Sequence, residues 1–88
     1  MTSSGWTNYE TRNVKLWIDN EEGSLDYWQE RAEVSGQDET GLADELKDFF
    51  QEMMPPVHGI WADLLQSSLD SVNWREIAEN MLEDLEEE

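Results

Sequence analysis

The chain has no cysteine, which excludes both a disulfide framework and a thiolate metal site, so the fold must rest on packing alone. It has a single histidine, His58, beside Pro55-Pro56. Any Ser-His-Asp or Cys-His arrangement would have to be built on that one ring, and no catalytic reading follows. The five basic residues, Arg12, Lys15, Arg31, Lys47 and Arg75, are too dispersed to form a nucleic-acid patch, and no glycine-rich phosphate loop is present. No apolar run approaches the ~18 residues that span a bilayer, and no basic segment followed by an apolar one opens the chain. The expected location is therefore the cytoplasm, with no membrane role.

Acid is what the chain has in excess. Its 22 Asp and Glu residues outweigh five Lys and Arg for a formal charge of −17, whereas a small domain needs a magnitude of only about 2–8 for solubility. Nucleic acid and anionic membrane surfaces should repel such a chain. So many acids guarantee some close carboxylate pairs, and for that reason such pairs carry little information about acid–base chemistry. The stretch from Asp19 to Glu30 has the length of a calcium loop but puts Gly23 where a ligand is needed and Ser24 where glycine is needed. No cofactor and no metal centre is expected.

The apolar content is 38%, with five Trp, two Tyr and two Phe, too much for a disordered acidic tail. Eighty-eight residues accommodate one domain, residues 1–88, with 1–6 and 86–88 expected to fray. The periodicity predicts an all-α bundle of about five short amphipathic helices. Thr7 with Glu10 has capping-box spacing for a first helix bearing Tyr9, Val14, Trp17 and Ile18 on one face. Ser24 can cap a second, with Leu25, Trp28 and Ala32 inward, ending at Ser35-Gly36 and followed by a loop from Gln37 to Thr40. Leu42, Leu46, Phe49, Phe50 and Met53 define a third, stopped by the prolines. Val57, Ile60, Trp61, Leu64, Leu65 and Leu69 define a fourth. Asn73 and Glu76 cap a fifth, with Val72 stapled to Ile77 and a stripe of Trp74, Ile77, Ala78, Met81, Leu82 and Leu85.

Opposite these apolar faces the acids fall in stripes: Glu22, Asp26, Glu30 and Glu33; Asp44, Asp48 and Glu52; Glu76, Glu79, Glu83 and Glu87. About seven pairs of acids sit four apart, each costing a helix roughly 0.2–0.5 kcal/mol. That sum, about 1.4–3.5 kcal/mol, is a sizeable part of the ~5–15 kcal/mol of a typical domain, so the pattern invites a functional reason. Duplex DNA carries one charge per ~1.7 Å, so seventeen net charges equal about 29 Å of duplex. That is close to the ~30 Å diameter expected of a compact chain of this length. Mimicry of nucleic acid in a basic protein groove is one reading. A generic acidic interaction module and adaptation to high salt are the others. Trp17, Trp28, Trp61 and Trp74 lie on apolar stripes and are expected in the core, while Trp6, ahead of the first helix, is the candidate apolar anchor for a partner.

The phrase from Gly5 to Val14 (Gly-Trp-Thr-Asn-Tyr-Glu-Thr-Arg-Asn-Val), continuing as Leu16-Trp17-Ile18-Asp19-Asn20-Glu21-Glu22-Gly23 and Tyr27-Trp28, resembles a family of small acidic proteins of phages, plasmids and other mobile elements. Val72-Asn73-Trp74 and Glu76-Ile77-Ala78 are similar to its C-terminal part. Arg12 departs from the pattern, which has Trp there. The resemblance implies a genomic setting and no site residues: an element that faces host restriction and CRISPR systems. On that basis the expected partner is a basic nucleic-acid-binding protein, a CRISPR or restriction complex of the host cell. The chain would be an anti-CRISPR or antirestriction inhibitor that binds no nucleic acid itself and is not an enzyme. The alternative is a non-inhibitory assembly factor or regulator.

Overall fold

Asn and Asp best replace the partners that the first N–H groups of a helix lack, and three of the five helices of this chain begin that way. The Asn8 Oδ1 accepts from the Thr11 N–H at 2.9 Å, Asp38 Oδ1 from the Gly41 N–H at 3.1 Å, and Asn73 Oδ1 from the Glu76 N–H at 3.1 Å. The computed structural model describes residues 5–36 and 38–86. They form α1 (Tyr9–Asn20), α2 (Ser24–Val34), α3 (Glu39–Met53), α4 (Ile60–Ser71) and α5 (Trp74–Glu86), an all-α bundle.

Four starts differ from expectation, α4 among them, for it begins at Ile60 and leaves Val57 ahead of the helix. Asn8 rather than Thr7 caps α1, because the Thr7 N–H is turned to α5, where it donates to Glu76 Oε1 at 3.0 Å. Ser24 is already inside α2, and the cap position belongs to Gly23, whose φ of 81° lies in the left-handed region that glycine enters without a Cβ clash. The loop before α3 ends at Asp38, so Thr40 is helical; Gln37 lies outside the described residues, as do 1–4 and 87–88 of the ends expected to fray. Trp6 is not frayed but half-buried against the core.

The core is the seam between α3 and α5. Leu42, Ala43 and Leu46 pack with Ile77, Ala78, Met81 and Leu82, and Ile18, Trp28, Ala32, Val72 and Trp74 complete the buried cluster. Phe50 stacks on Trp74 with ring centres 5.6 Å apart, and Phe49 meets the Trp28 ring edge-on at 5.3 Å. A polar clasp then ties α1 to the α4–α5 turn. The buried Thr11 hydroxyl donates to Asn8 Oδ1 at 2.6 Å and accepts the Asn73 N–H at 2.8 Å, while Asn8 Nδ2 donates to the Ser71 carbonyl at 2.6 Å. The caps of α1 and α5 are therefore parts of one hydrogen-bonded unit.

Two helices turn a different face inward from the one their apolar residues suggest. In α1 the buried positions are Thr11, Lys15 and Ile18, one i, i+4, i+7 stripe, and Tyr9 and Trp17 point outward. Lys15 buries its stem and places Nζ 2.5 Å from Asp19 Oδ1. In α4 no residue is fully buried. Its inner face is Ala62, Gln66 and Leu69, all half-buried. Ile60 and Trp61 are 67% and 65% exposed, and Leu64 and Leu65 are exposed with them. Leu69 packs against the core, and Gln66 and Gln51 of α3 add amide hydrogen bonds of 2.8 and 3.0 Å to hold α4. Trp17 and Trp61 are thus not core residues, whereas Trp28 and Trp74 are.

Leu46→Ala should cost about 2–5 kcal/mol, the usual toll of a cavity in a packed seam. Leu64→Ala should stay within about 0.5 kcal/mol, as for an exposed position. Urea denaturation of both variants checks this, and a reversed order would place the core at α4.

Candidate interaction surfaces

The carboxylates expected in stripes are on the outside. Asp26, Glu30 and Glu33 are exposed along α2, Asp44, Asp48 and Glu52 along α3, and Glu79 and Glu83 along α5. Glu22 is exposed too, but sits in the turn ahead of α2, so that stripe begins on the helix at Asp26. Glu76 is half-buried and accepts the Thr7 N–H. Glu87 lies outside the described residues.

Three of the five bases are paired with other acids, and Lys47 stands exposed on α3 between Asp44 and Asp48. Lys15 pairs with Asp19 within α1, Arg31 with Glu45 ties α2 to α3, and Arg75 with Glu39 ties α5 to α3. Among the described residues, Glu79 is the one stripe acid with a base within ion-pair range, at 3.9 Å from Arg75 Nε. Arg75 favours Glu39, whose carboxyl its hydrogen bond holds below the ordinary glutamate value. Glu79 is pushed above that value, first by a hydrogen bond shared with Glu39 and then by the charge of that carboxylate. This is crowding of like charge, not neutralisation.

The stripes do not merge into a single sheet of charge. Since α3 and α5 pack on each other, their acids, on the sides of the helices away from the seam, face opposite directions. The stripes therefore lie on separate faces of the bundle, on α2, α3 and α5. With extents of 44 × 29 × 24 Å, seventeen charges along the 44 Å axis give one per about 2.6 Å, sparser than the ~1.7 Å of duplex DNA. On α5 the structure joins the two kinds of predicted site residue, for Trp6 lines one groove with Glu76, Glu79, Asn80 and Glu83.

A second surface was assigned to the core by periodicity and is in fact exposed. On α1, Tyr9, Asn13, Leu16, Trp17 and Asn20 share an outward face with Glu10 at its edge. Beside it three grooves run together. Asn13 is common to the one that also holds Tyr9, Glu10, Val14 and Leu65 and to the one that holds Leu16 and Trp17. Trp17 in turn belongs to a third, of about 530 Å³, with Ile18, Tyr27, Trp28, Phe49 and Met53. Between Met53 and Leu69 the only acid is Asp63. The molecule therefore has an acidic flank on α2, α3 and α5 and an apolar flank on α1 and α4. The available signal was the number of apolar stripes: five amphipathic helices offer more apolar surface than the core of a chain this short can enclose.

Among the described residues no group of three or more His, Cys, Asp or Glu could hold a metal ion, and no helix is long and apolar enough to cross a membrane.

What the fold and its surfaces define is a small acidic helical-bundle protein. The chain belongs to the DUF7249 family, described as a family of unknown function, whose model matches residues 1–88. No curated protein and no solved structure is similar to it.

Carboxyl titration by NMR should find Glu39 ionising at lower pH than Glu79. In Arg75→Ala the Glu39 value should rise, because the hydrogen bond that holds it down is gone. Unchanged titration of Glu39 in that variant would remove Arg75 as the cause.

Proposed function

We propose that the chain is an inhibitor that occupies the basic nucleic-acid-binding groove of a host defence complex, in the manner of an anti-CRISPR or antirestriction protein. The observation that carries this reading is that nearly all the stripe acids stand exposed without a base in ion-pair range, at a chain charge of −17. A groove lined with Lys and Arg releases counterions when it takes up phosphates. It can take up fixed carboxylates in their place, and complementary charge of this size speeds and orients encounter. The resemblance to acidic proteins of mobile elements supports a defence complex as the target. The groove of Trp6, Glu76, Glu79 and Glu83 combines an aromatic anchor with anionic groups and is the best candidate for direct contact.

A non-inhibitory interaction module is favoured instead by the apolar flank, since exposed contiguous apolar surface marks binding sites for proteins. The two readings separate on salt, because charge-driven binding weakens steeply as salt rises and apolar docking does not.

The test uses purified restriction enzymes and CRISPR effector complexes loaded with a labelled duplex at low salt. The protein should displace the duplex from at least one of them, and raising the salt should suppress this. Glu79→Lys with Glu83→Lys should weaken displacement by about tenfold or more while leaving the fold intact by circular dichroism. Failure to displace nucleic acid from any member of the panel would refute mimicry.

A further inference from the structure

A groove of about 530 Å³ lies where the end of α1, the start of α2 and the end of α3 meet. Its floor is Ile18 and Trp28, each 1% exposed. Its walls are Trp17, Tyr27, Phe49 and Met53, of which Trp17 is 62% and Met53 66% exposed. Tyr27 and Phe49 meet across it with ring centres 6.3 Å apart. Glu21 and Glu22 are at its rim, and no Lys or Arg lines it.

From this we propose that the groove receives an amphipathic cationic helix of a partner protein, with apolar anchors on the aromatic floor and Lys or Arg side chains along the Glu21 and Glu22 rim. The chemistry of the groove selects that occupant. A volume of about 530 Å³ falls within the ~300–1,000 Å³ of clefts that take ligands. Aromatic faces attract cations, and a flexible methionine adapts to irregular apolar side chains. Among the described residues the bundle has no sheet whose edge could pair with an extended strand, and an apolar groove between helices suits the anchors that a partner helix presents at i, i+3, i+4 and i+7. A second copy of this chain is disfavoured as occupant, because each copy carries −17 and the two repel one another. Anionic lipid is repelled in the same way. The inference concerns a different surface from the α5 groove and stands whether or not the stripes mimic nucleic acid.

The probe is a fluorescein-labelled synthetic 18-residue peptide of Leu and Lys, with Leu at helical spacing on one face. Its control has the same composition with Leu scattered round the helix. Fluorescence anisotropy with the full chain at moderate salt should show the amphipathic peptide binding about tenfold or more tightly than the scrambled one. The double variant Trp17→Ala, Met53→Ala changes two exposed side chains, so the fold should persist by circular dichroism, and this preference should collapse. Glu79→Lys with Glu83→Lys should weaken both peptides alike and leave their ratio unchanged, so failure of mimicry and failure of the groove read out separately. Equal binding of the two peptides, or a ratio that survives the Trp17 and Met53 changes, overturns the proposal. So does a dimer in sedimentation equilibrium that the same two changes dissociate, because it would make a second copy the occupant.

Discussion

Twenty-two acids cannot be neutralised by five bases, and the architecture is arranged around that imbalance. An unpaired carboxylate tolerates burial poorly, so α2, α3 and α5 must keep whole faces in water. Their other faces are then left to make the core. The seam of α3 and α5 results, and the scarce arginines go where they bridge helices, Arg31 to Glu45 and Arg75 to Glu39. None remains beside the stripes except Arg75, which also lies within range of Glu79. The charge of the surface is a residue of this allocation: what the bases do not reach stays anionic.

Where apolar spacing and charge spacing agree, the fold was legible in the residues. In α5 the cap at Asn73, the buried Val72 and Ile77, and the stripe through Leu82 are as the pattern requires, with Glu79 and Glu83 outside. In α3, Leu42 and Leu46 are likewise inside and Asp44, Asp48 and Glu52 outside. Legibility ended where no acid stripe marked the outer face. Nothing in α4 distinguishes Ile60 and Leu64 from core residues, and its contact face, Ala62, Gln66 and Leu69, is chosen by a partner amide on α3 that local spacing does not reveal. In α1 the deciding contact is Thr11 with Asn73, sixty-two residues away. Local periodicity carries no information about that distance.

The positions of the acids were also legible, but their grouping was not. Helical spacing placed each stripe on its helix, whereas the packing of α3 against α5 sends their acids in opposite directions. Trp6 lines a groove with the α5 acids beside Thr7, whose N–H donates to Glu76 and whose hydroxyl accepts from Asn73 Nδ2. Stability and the candidate sites therefore share residues. The acidic flank suits long-range attraction, and the apolar flank suits short-range fit. A partner carrying both cations and apolar anchors would use them in that order.

The division into two flanks can be measured directly, without any partner. Paramagnetic relaxation of backbone amides by a cationic and by an anionic nitroxide co-solute reports the electrostatic potential near each residue. The account predicts the most negative potential along Asp26 to Glu33, Asp44 to Glu52 and Glu76 to Glu83, and the weakest over Asn13 to Trp17 and Ile60 to Ser68. A potential of equal strength over all five helices would contradict it.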